Sequence, residues 1–215
     1  MINEFSSPGK PRPGKTSWEM RRTTLSKIVG VVLLIVAGMT TSNWEFKHDN
    51  IATLLYSFGL VFVAVACSGR IWCSFYLSGR KDKVLTTEGP YSMSRNPLYF
   101  FSLLGAVGIG LCTETLFYPI LFSLVFALYY PGIMAREEVR LAQLFGEDYS
   151  QYFRQTPRFF PSLERFSEPN NWSANPVLFR RHVFNDTLFV WLAALLELIE
   201  GLRHSGVIPS LFHSW

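Results

Sequence analysis

The amino-acid sequence predicts an all-α fold, a polytopic membrane helix bundle with about five transmembrane helices. The first observation is composition: of 215 residues, 49% are hydrophobic and only 17% are charged, and the mean hydropathy is +0.19. Such a chain is too apolar for an ordinary soluble domain. The second observation is that four long stretches contain no Asp, Glu, Lys or Arg, and the third is that basic residues cluster between alternate stretches.

A transmembrane helix needs about 20 mostly apolar residues, and the four uncharged stretches meet or approach that length. They cover residues 28–44, 51–69, 97–113 and 115–135. Short connections join the first stretch to the second and the third to the fourth, which predicts two helical hairpins. A fifth apolar stretch, 187–196, is shorter, so the sequence leaves open whether it spans the membrane or lies along its surface.

The formal net charge of +4 resides mainly in three basic clusters, within residues 10–27, 70–95 and 136–181. If the apolar stretches span in succession, all three clusters face one side of the membrane. Loops rich in Lys and Arg face the cytoplasm, so we expect the N-terminus there, in an integral protein of a bacterial inner membrane. This charge pattern indicates a membrane partner and no nucleic acid.

Three regions are predicted along the chain. Residues 1–23 are rich in Pro, Gly, Ser and Lys and are expected to form a disordered cytoplasmic tail. Residues 24–161 form the membrane core, and residues 162–215 form an extension with a short membrane or interfacial helix. The extension carries polar residues among apolar ones, namely His182, Asp186, Glu197, Glu200 and His204. A lone His or Glu on an amphipathic helix usually belongs to its solvated face. Glu197 and Glu200 share a helix face and could line a substrate entrance or bind a partner subunit.

The start of the third stretch carries polar groups at the membrane edge. Asn is a strong N-cap residue and Pro fits the first helical position, so Asn96 and Pro97 predict a helix start. The unpaired amides of a helix start suit an anionic group, and Arg95 adds a full positive charge. Tyr99 lies in the first turn and can point its hydroxyl to the same place. The alternative is an interface anchor, with a snorkelling Arg and a Tyr of the aromatic belt.

The end of the fourth stretch carries two adjacent acidic residues, Glu137 and Glu138. Carboxylates near the hydrocarbon are costly and tend to have partners. Adjacent helical residues point about 100° apart, so one carboxylate can face a pocket while the other faces water or an arginine. The alternative is a charged helix face joined to neighbouring arginines. Residues 141–153 then predict an amphipathic surface helix, broken near Gly146, that can lie on the membrane and cap the pocket.

The two polar segments together resemble the membrane methyltransferases related to isoprenylcysteine carboxyl methyltransferase and phospholipid N-methyltransferase. The first half of the pattern that this chain shares with the family resembles L-x-x-x-G-P-Y-x-x-x-R-[HN]-P-x-Y. The second half follows the next helix and resembles E-E-x-x-L and then F-G-x-x-Y-x-x-Y. Residues 85–161 contain the matching residues in order, namely Leu85, Gly89, Pro90, Tyr91, Arg95, Asn96, Pro97, Tyr99, Glu137, Glu138, Leu141, Phe145, Gly146, Tyr149, Tyr152, Pro157 and Pro161. Asn96 stands where the eukaryotic carboxyl methyltransferases have histidine.

The resemblance implies S-adenosylmethionine as the methyl donor, bound in a pocket at the cytoplasmic face. Arg95 and the helix start would take its carboxylate, and Glu138 or Glu137 would take its amine or ribose hydroxyls. The resemblance implies Arg95 and Glu138 as catalytic residues. The cofactor-binding residues it implies are Leu85, Gly89, Tyr91, Asn96, Pro97, Tyr99, Gly105, Glu137 and Glu138.

The methyl acceptor implied by the resemblance is a lipid or lipid-linked substrate, and the sequence leaves open whether its nucleophile is a carboxylate or an amine. Two other functions remain open, an NADPH-dependent membrane reductase of the sterol-reductase type and a non-catalytic membrane scaffold. Cys67, Cys73 and Cys112 form no CxxC or Cys/His motif, so neither a metal site nor a disulfide framework is predicted. The sequence does not specify an oligomeric state.

Overall fold

The computed structural model describes residues 40–42, 49–205, 207 and 212–214. Six α-helices form this part of the chain: α1 (Asp49–Leu77), α2 (Pro90–Met93), α3 (Pro97–Leu111), α4 (Phe117–Gln155), α5 (Pro176–Asp186) and α6 (Leu188–His204). A turn of 3₁₀ helix covers Leu163–Arg165. Two three-residue strands, β1 (Thr40–Ser42) and β2 (Phe212–Ser214), pair in parallel with Thr40 opposite Phe212.

The predicted membrane helix bundle is confirmed. Among the described residues, three helical segments are long and apolar enough to cross a membrane, Asn50–Leu77, Phe117–Gln155 and Pro176–Leu202, and Pro97–Leu111 is a shorter apolar helix. The last of the three joins α5 and α6, so the 187–196 stretch belongs to a segment of spanning length. The predicted first span, 28–44, lies outside the described residues except for Thr40–Ser42, which form β1 instead of helix.

Helix α3 packs between α1 and α4, and this places the predicted site beside both neighbours. The crossing of α1 and α3 is close because glycines face each other there. A Cβ atom on Gly59 would lie 2.8 Å from the carbonyl oxygen of Gly108. Small residues allow helix backbones to approach in this way within a membrane. The α3–α4 connection is a tight turn with Glu114 in a left-handed conformation (φ 57°), as the predicted hairpin requires.

Helix α4 is interrupted at Gly146, as predicted. Gly146 has φ 54° and ψ −119°, a backbone conformation that residues with a side chain rarely adopt. The part of α4 beyond this glycine therefore changes direction. Tyr149 and Tyr152, which follow the glycine, are buried, so the kink turns this last part of the helix toward the bundle.

The segment between α4 and α5, residues 156–175, crosses α2 and the start of α3. Its backbone is hydrogen-bonded to them at several points: Arg95 N donates to Pro157 O (2.9 Å), Ser162 N to Met93 O (3.0 Å) and Gly89 N to Ser167 O (2.7 Å). We call residues 156–175 the closing segment. These bonds fix the loop before α3, and they hold Arg95 against α4.

The extension ends in α5 and α6, which pack on α1 and α3. Phe189 of α6 lies against Gly105, where an added Cβ atom would come within 2.9 Å of the ring. Asp186, at the end of α5, is only 2% exposed. The packing of α5 and α6 on the bundle therefore encloses the carboxylate of Asp186.

Candidate active site

Side chains from three separate parts of the chain meet at the start of α3. Arg95 Nη1 lies 3.3 Å from Glu138 Oε1, and Arg158 Nε lies 3.4 Å from Glu138 Oε2. The amide of Asn96 donates to Glu138 Oε1 at 3.3 Å. The Arg95 and Glu138 side chains are only 9% and 13% exposed, whereas that of Arg158 is 42% exposed. We call Arg95, Asn96, Glu138 and Arg158 the polar cluster.

Asn96 occupies the N-cap position of α3, but its side chain makes no capping hydrogen bond. The side-chain amide instead donates to Glu138 and to the carbonyl oxygen of Arg158 (3.0 Å). The expectation that this side chain caps the helix is therefore wrong, although the helix begins at Pro97 as predicted. The amide has become a link between α3, α4 and the closing segment.

Aromatic residues beyond the kink in α4 cover the guanidinium group of Arg95. The ring of Phe153 lies 3.8 Å from Arg95 Cζ, a cation–π contact. The buried hydroxyl of Tyr149 interacts with Arg95 and Glu138, and within the described part of the chain its O–H has no hydrogen-bond acceptor. Arg95 Nε is also buried there without a hydrogen-bond acceptor. The cluster therefore keeps donors that are ready for an anionic group.

The two adjacent glutamates separate as the helix geometry predicts. Glu138 faces the polar cluster, whereas Glu137 is 35% exposed and lies 3.7 Å from Arg140. Arg140 also pairs with Asp82 in the α1–α2 loop at 2.6 Å. Glu137 therefore belongs to a more exposed charge group beside the cluster.

Tyr99 lies one turn into α3, on an aromatic surface shared with α4. Its ring meets Tyr130 edge-on at 5.6 Å, and Tyr130 stacks on Phe126 at 4.0 Å. Phe126 also contacts Phe159 of the closing segment at 5.8 Å. Tyr99 and Phe159 are close in sequence to Asn96 and Arg158, and aromatic faces of this kind are a suitable environment for an organic cation.

Other predicted site residues lie in the packing around the cluster. Tyr91 is buried in a core with Cys73 and Tyr76, and burial raises the pKa of its phenol well above the usual value. Gly89 has φ 60° and lies against the Tyr76 ring. Gly105 contacts α6 instead of the cluster. Pro97 is buried and Leu85 is half-buried, and both flank the cluster in sequence.

Arg158, Phe153 and Tyr149 were not predicted individually as site residues. Arg158 was one of many arginines in a basic region, and Phe153 was predicted only as part of the surface helix that can cap the pocket. Tyr149 belongs to the F-G-x-x-Y-x-x-Y pattern, and the glycine of that pattern could have indicated its position in the site. A helix that bends at Gly146 can bring the residues after it back toward Arg95.

The comparisons with known proteins match most of the chain. The sequence model of the phospholipid methyltransferase family matches residues 25–148. The chain is 35% identical to the cobalt-zinc-cadmium resistance protein CzcN of Cupriavidus metallidurans, over 84% of this chain and 83% of that protein. It is 33% identical to the nickel-cobalt-cadmium resistance protein NccN of Alcaligenes xylosoxydans xylosoxydans, over 84% of each chain.

A third relative has a named enzymatic activity. The protein-S-isoprenylcysteine O-methyltransferase of Schizosaccharomyces pombe is 32% identical over 46% of this chain and 43% of that protein. No solved structure matches the chain. The relatives therefore combine names that refer to methyl transfer with names that refer to metal resistance.

Proposed function

The chain belongs to the phospholipid methyltransferase family, and from this premise we propose that it transfers a methyl group from S-adenosylmethionine to a lipidic acceptor. The reaction would take place at the cytoplasmic face of a bacterial inner membrane, where the basic loops are expected. The donor would bind at the polar cluster, and the acceptor would come from the bilayer. Membership in the family supports methyl transfer to a membrane substrate. The buried charges of the polar cluster support the placement of the donor there.

The observation that carries the proposal is the pairing of Arg95 with Glu138, because it joins the two motifs of the family. Around this pair, Arg95 Nε and the O–H group of Tyr149 are buried and have no hydrogen-bond acceptor among the described residues. Buried donors of this kind are costly unless a partner binds. A carboxylate would supply acceptors for them, and the donor carries one.

The residues present fit the chemistry of this donor. Two arginines and one glutamate give the polar cluster a net charge of about +1 when all are ionised, which suits the carboxylate of the amino-acid end. The free electron pairs of Glu138 suit the ammonium group beside it. The faces of Tyr99 and Tyr130 suit a sulfonium, as aromatic faces hold other cations. When bound, the donor supplies an electrophilic methyl group.

Catalysis would depend mainly on how the protein positions the donor. Arg95 would orient the amino-acid end, and the Asn96 amide would keep Glu138 in place from the opposite side. Because Glu138 is shared by two guanidinium groups, it is better suited to anchoring the donor than to accepting a proton. Phe153 and the closing segment would keep water away from the reacting groups. An in-line displacement depends strongly on such alignment.

The names of two relatives favour metal resistance as the physiological process in which this methyl transfer takes part. CzcN and NccN are named for resistance to metal ions, and we extend that setting to this chain. No group of three or more His, Cys, Asp or Glu side chains suited to holding a metal ion occurs among the described residues. We therefore propose that any contribution to metal resistance is made through a methylated membrane component. Metal tolerance of a deletion strain, complemented with wild type or Glu138→Gln, tests this connection.

The direct test is transfer of labelled methyl groups from S-adenosylmethionine to a membrane lipid extract by the detergent-purified protein. Arg95→Ala should reduce transfer about ten- to hundredfold, the effect of losing a hydrogen bond to a charged group, while the protein still accumulates in membranes. Arg154→Ala is the matched control, because this arginine is 71% exposed and pairs only at 3.5 Å with an exposed glutamate. Equal transfer by Arg95→Ala and wild type would refute the site.

A further inference from the structure

The closing segment exposes three large apolar side chains within a single turn of the chain, residues 160–166. Phe160 and Leu163 are 74% and 78% exposed, and Phe166 is 46% exposed. The turn includes the 3₁₀ helix Leu163–Arg165. Exposed apolar residues that lie together mark a surface that binds a partner or a membrane. We call residues 160–166 the apolar turn.

Contacts between aromatic rings place the apolar turn at the end of the bundle where α1 ends and α3 begins. The ring centroid of Phe160 lies 6.5 Å from that of Phe100 in α3, and the ring centroid of Phe166 lies 5.9 Å from that of Trp72 in α1. Trp72 is five residues before the end of α1, and Phe100 is three residues after the start of α3. Both contacts therefore lie about one helical turn inside the helix ends.

The length of α3 relates this level to the membrane. Its 15 residues extend about 22 Å, whereas the hydrocarbon layer of a bilayer is about 30 Å thick. The start of so short a helix lies close to the boundary between hydrocarbon and head groups. Trp72 fits this level, because tryptophan is enriched at membrane–water interfaces. The apolar turn contacts both helices at this boundary.

We propose that the apolar turn inserts into the surface of the bilayer, which thereby holds the closing segment over the polar cluster. The apolar surface of α1 and α3 continues into the turn through the contacts of Trp72 and Phe100, so the bilayer that surrounds the helices also reaches the turn. Arg165 is exposed within the turn. An arginine can place its guanidinium among head groups while its methylene groups stay in apolar surroundings. The partner is therefore the lipid surface.

The apolar turn is closely joined to the polar cluster. Arg158, which pairs with Glu138, precedes the turn by two residues. Within the turn, Ser162 N donates to Met93 O in the loop before α3 (3.0 Å). A lipid contact at the turn thus acts on the same segment that brings Arg158 to Glu138. Loss of that contact should loosen the cover of the polar cluster while the helices stay in place.

Electron paramagnetic resonance of a spin label at Leu163→Cys, in vesicles of phosphatidylethanolamine and phosphatidylglycerol, locates the turn. Molecular oxygen concentrates in the hydrocarbon, whereas a water-soluble nickel chelate stays outside it. We expect the label to collide with oxygen and to be shielded from nickel. Glu147→Cys is the control, since Glu147 is 87% exposed and its label should meet nickel. The native cysteines Cys67, Cys73 and Cys112 are buried, so the label should attach at the introduced site.

Two other results of this measurement would overturn the inference. Free access of nickel to the label at position 163 would show that the turn faces water. Shielding from both oxygen and nickel would show that a protein surface, such as a second copy of the chain, covers the turn.

Hydrogen exchange in the same vesicles, followed by mass spectrometry, tests whether the bilayer holds the closing segment. The amides of Arg95 and Ser162 report on this, because they donate to Pro157 O and Met93 O across the segment. Leu163→Glu should raise their exchange about tenfold or more, the effect of losing the burial of one leucine side chain. Leu163→Phe keeps an apolar side chain and should exchange as wild type does.

Ser173→Glu is the matched control, since it adds the same charge at an exposed position of the closing segment. This variant should leave the exchange of both amides unchanged. Wild-type exchange in Leu163→Glu would overturn the inference, because protein contacts alone would then hold the segment. Neither measurement requires a methyl donor, so the inference and the proposed function are tested independently.

Discussion

Replacement of Glu138 by glutamine tests the geometry of the polar cluster. The substitution keeps the size of the side chain and removes its charge. Arg95 Nη1 at 3.3 Å and Arg158 Nε at 3.4 Å then lose their counter-charge. Because the Arg95 side chain is only 9% exposed, water cannot readily replace the carboxylate.

The expected loss of affinity follows from the contacts that disappear. In our proposal Glu138 holds the ammonium group of S-adenosylmethionine directly. It also fixes Arg95, which holds the carboxylate of the same ligand. A hydrogen bond to a charged group contributes about 1.5–3 kcal/mol, so the dissociation constant should rise about ten- to hundredfold. The stability of the protein should also fall, by about 1–3 kcal/mol, because the mostly buried donors of Arg95 lose a charged acceptor.

Calorimetry of the purified protein with S-adenosylmethionine measures this loss, and thermal unfolding reports the change in stability. Glu147→Gln is the matched control, since Glu147 also pairs with an arginine on α4 but its side chain is 87% exposed. An exposed pair of this kind contributes little, so the control should change unfolding by less than about 0.5 kcal/mol and leave affinity unchanged. Wild-type affinity in a folded Glu138→Gln variant would refute the reasoning.

Three other predictions concern the packing that supports the site. Gly105→Ala places a Cβ atom 2.9 Å from an aromatic ring of α6, so unfolding measurements should show a loss of about 1–3 kcal/mol in stability. Gly201→Ala is the control, because its Cβ atom would meet nothing within 4 Å. This control should be neutral or stabilising. Gly146→Ala must adopt φ 54° and should destabilise the kink by about 1 kcal/mol or more, visible as weaker donor binding; unchanged binding would contradict the role of the kink. Tyr152→Phe removes a 2.8 Å hydrogen bond to Tyr91 O and should cost about 1 kcal/mol, whereas Tyr91→Phe removes a buried hydroxyl without a partner in the described structure and should cost less. A larger loss of stability for Tyr91→Phe than for Tyr152→Phe would refute these hydrogen-bond assignments.

The sequence predicted features that depend on local chemistry. The start of α3 at Pro97 follows from the fixed φ of proline and its missing amide hydrogen. The break at Gly146 follows from the conformational freedom of glycine. Because adjacent helical residues point in different directions, Glu137 and Glu138 were predicted to separate, and Glu138 faces Arg95 and Arg158 whereas Glu137 is more exposed. These are properties of a few adjacent residues, so they can be read without the fold.

Contacts between distant residues were harder to predict. The side chain of Asn96 binds Glu138, 42 residues away, whereas the expectation of a helix cap considered only its nearest neighbours. Arg158 joins the cluster because the closing segment returns over α3. The burial of Asp186 depends on how α5 and α6 pack on α1. Each of these outcomes requires the path of the chain, which periodicity and composition do not encode.

Some residues of the family motif do not belong to the polar cluster. Tyr91 and Gly105 lie within the segment that resembles the family, yet both serve as packing residues in this structure. Tyr91 fills the core beside Cys73, and Gly105 admits an aromatic residue of α6. A motif shows that a residue type is needed at a position, but several physical reasons can create that need.

Binding of S-adenosylmethionine to the detergent-purified wild-type protein is the most direct test of the central claim. Calorimetry should show saturable binding of S-adenosylmethionine and of its demethylated product, and NADPH should give no heat of binding. That result would establish the donor before any acceptor is known. Binding of NADPH alone would assign the protein to the reductase class, and binding of neither ligand by folded protein would favour a non-catalytic scaffold. Either of those two outcomes would contradict the proposal.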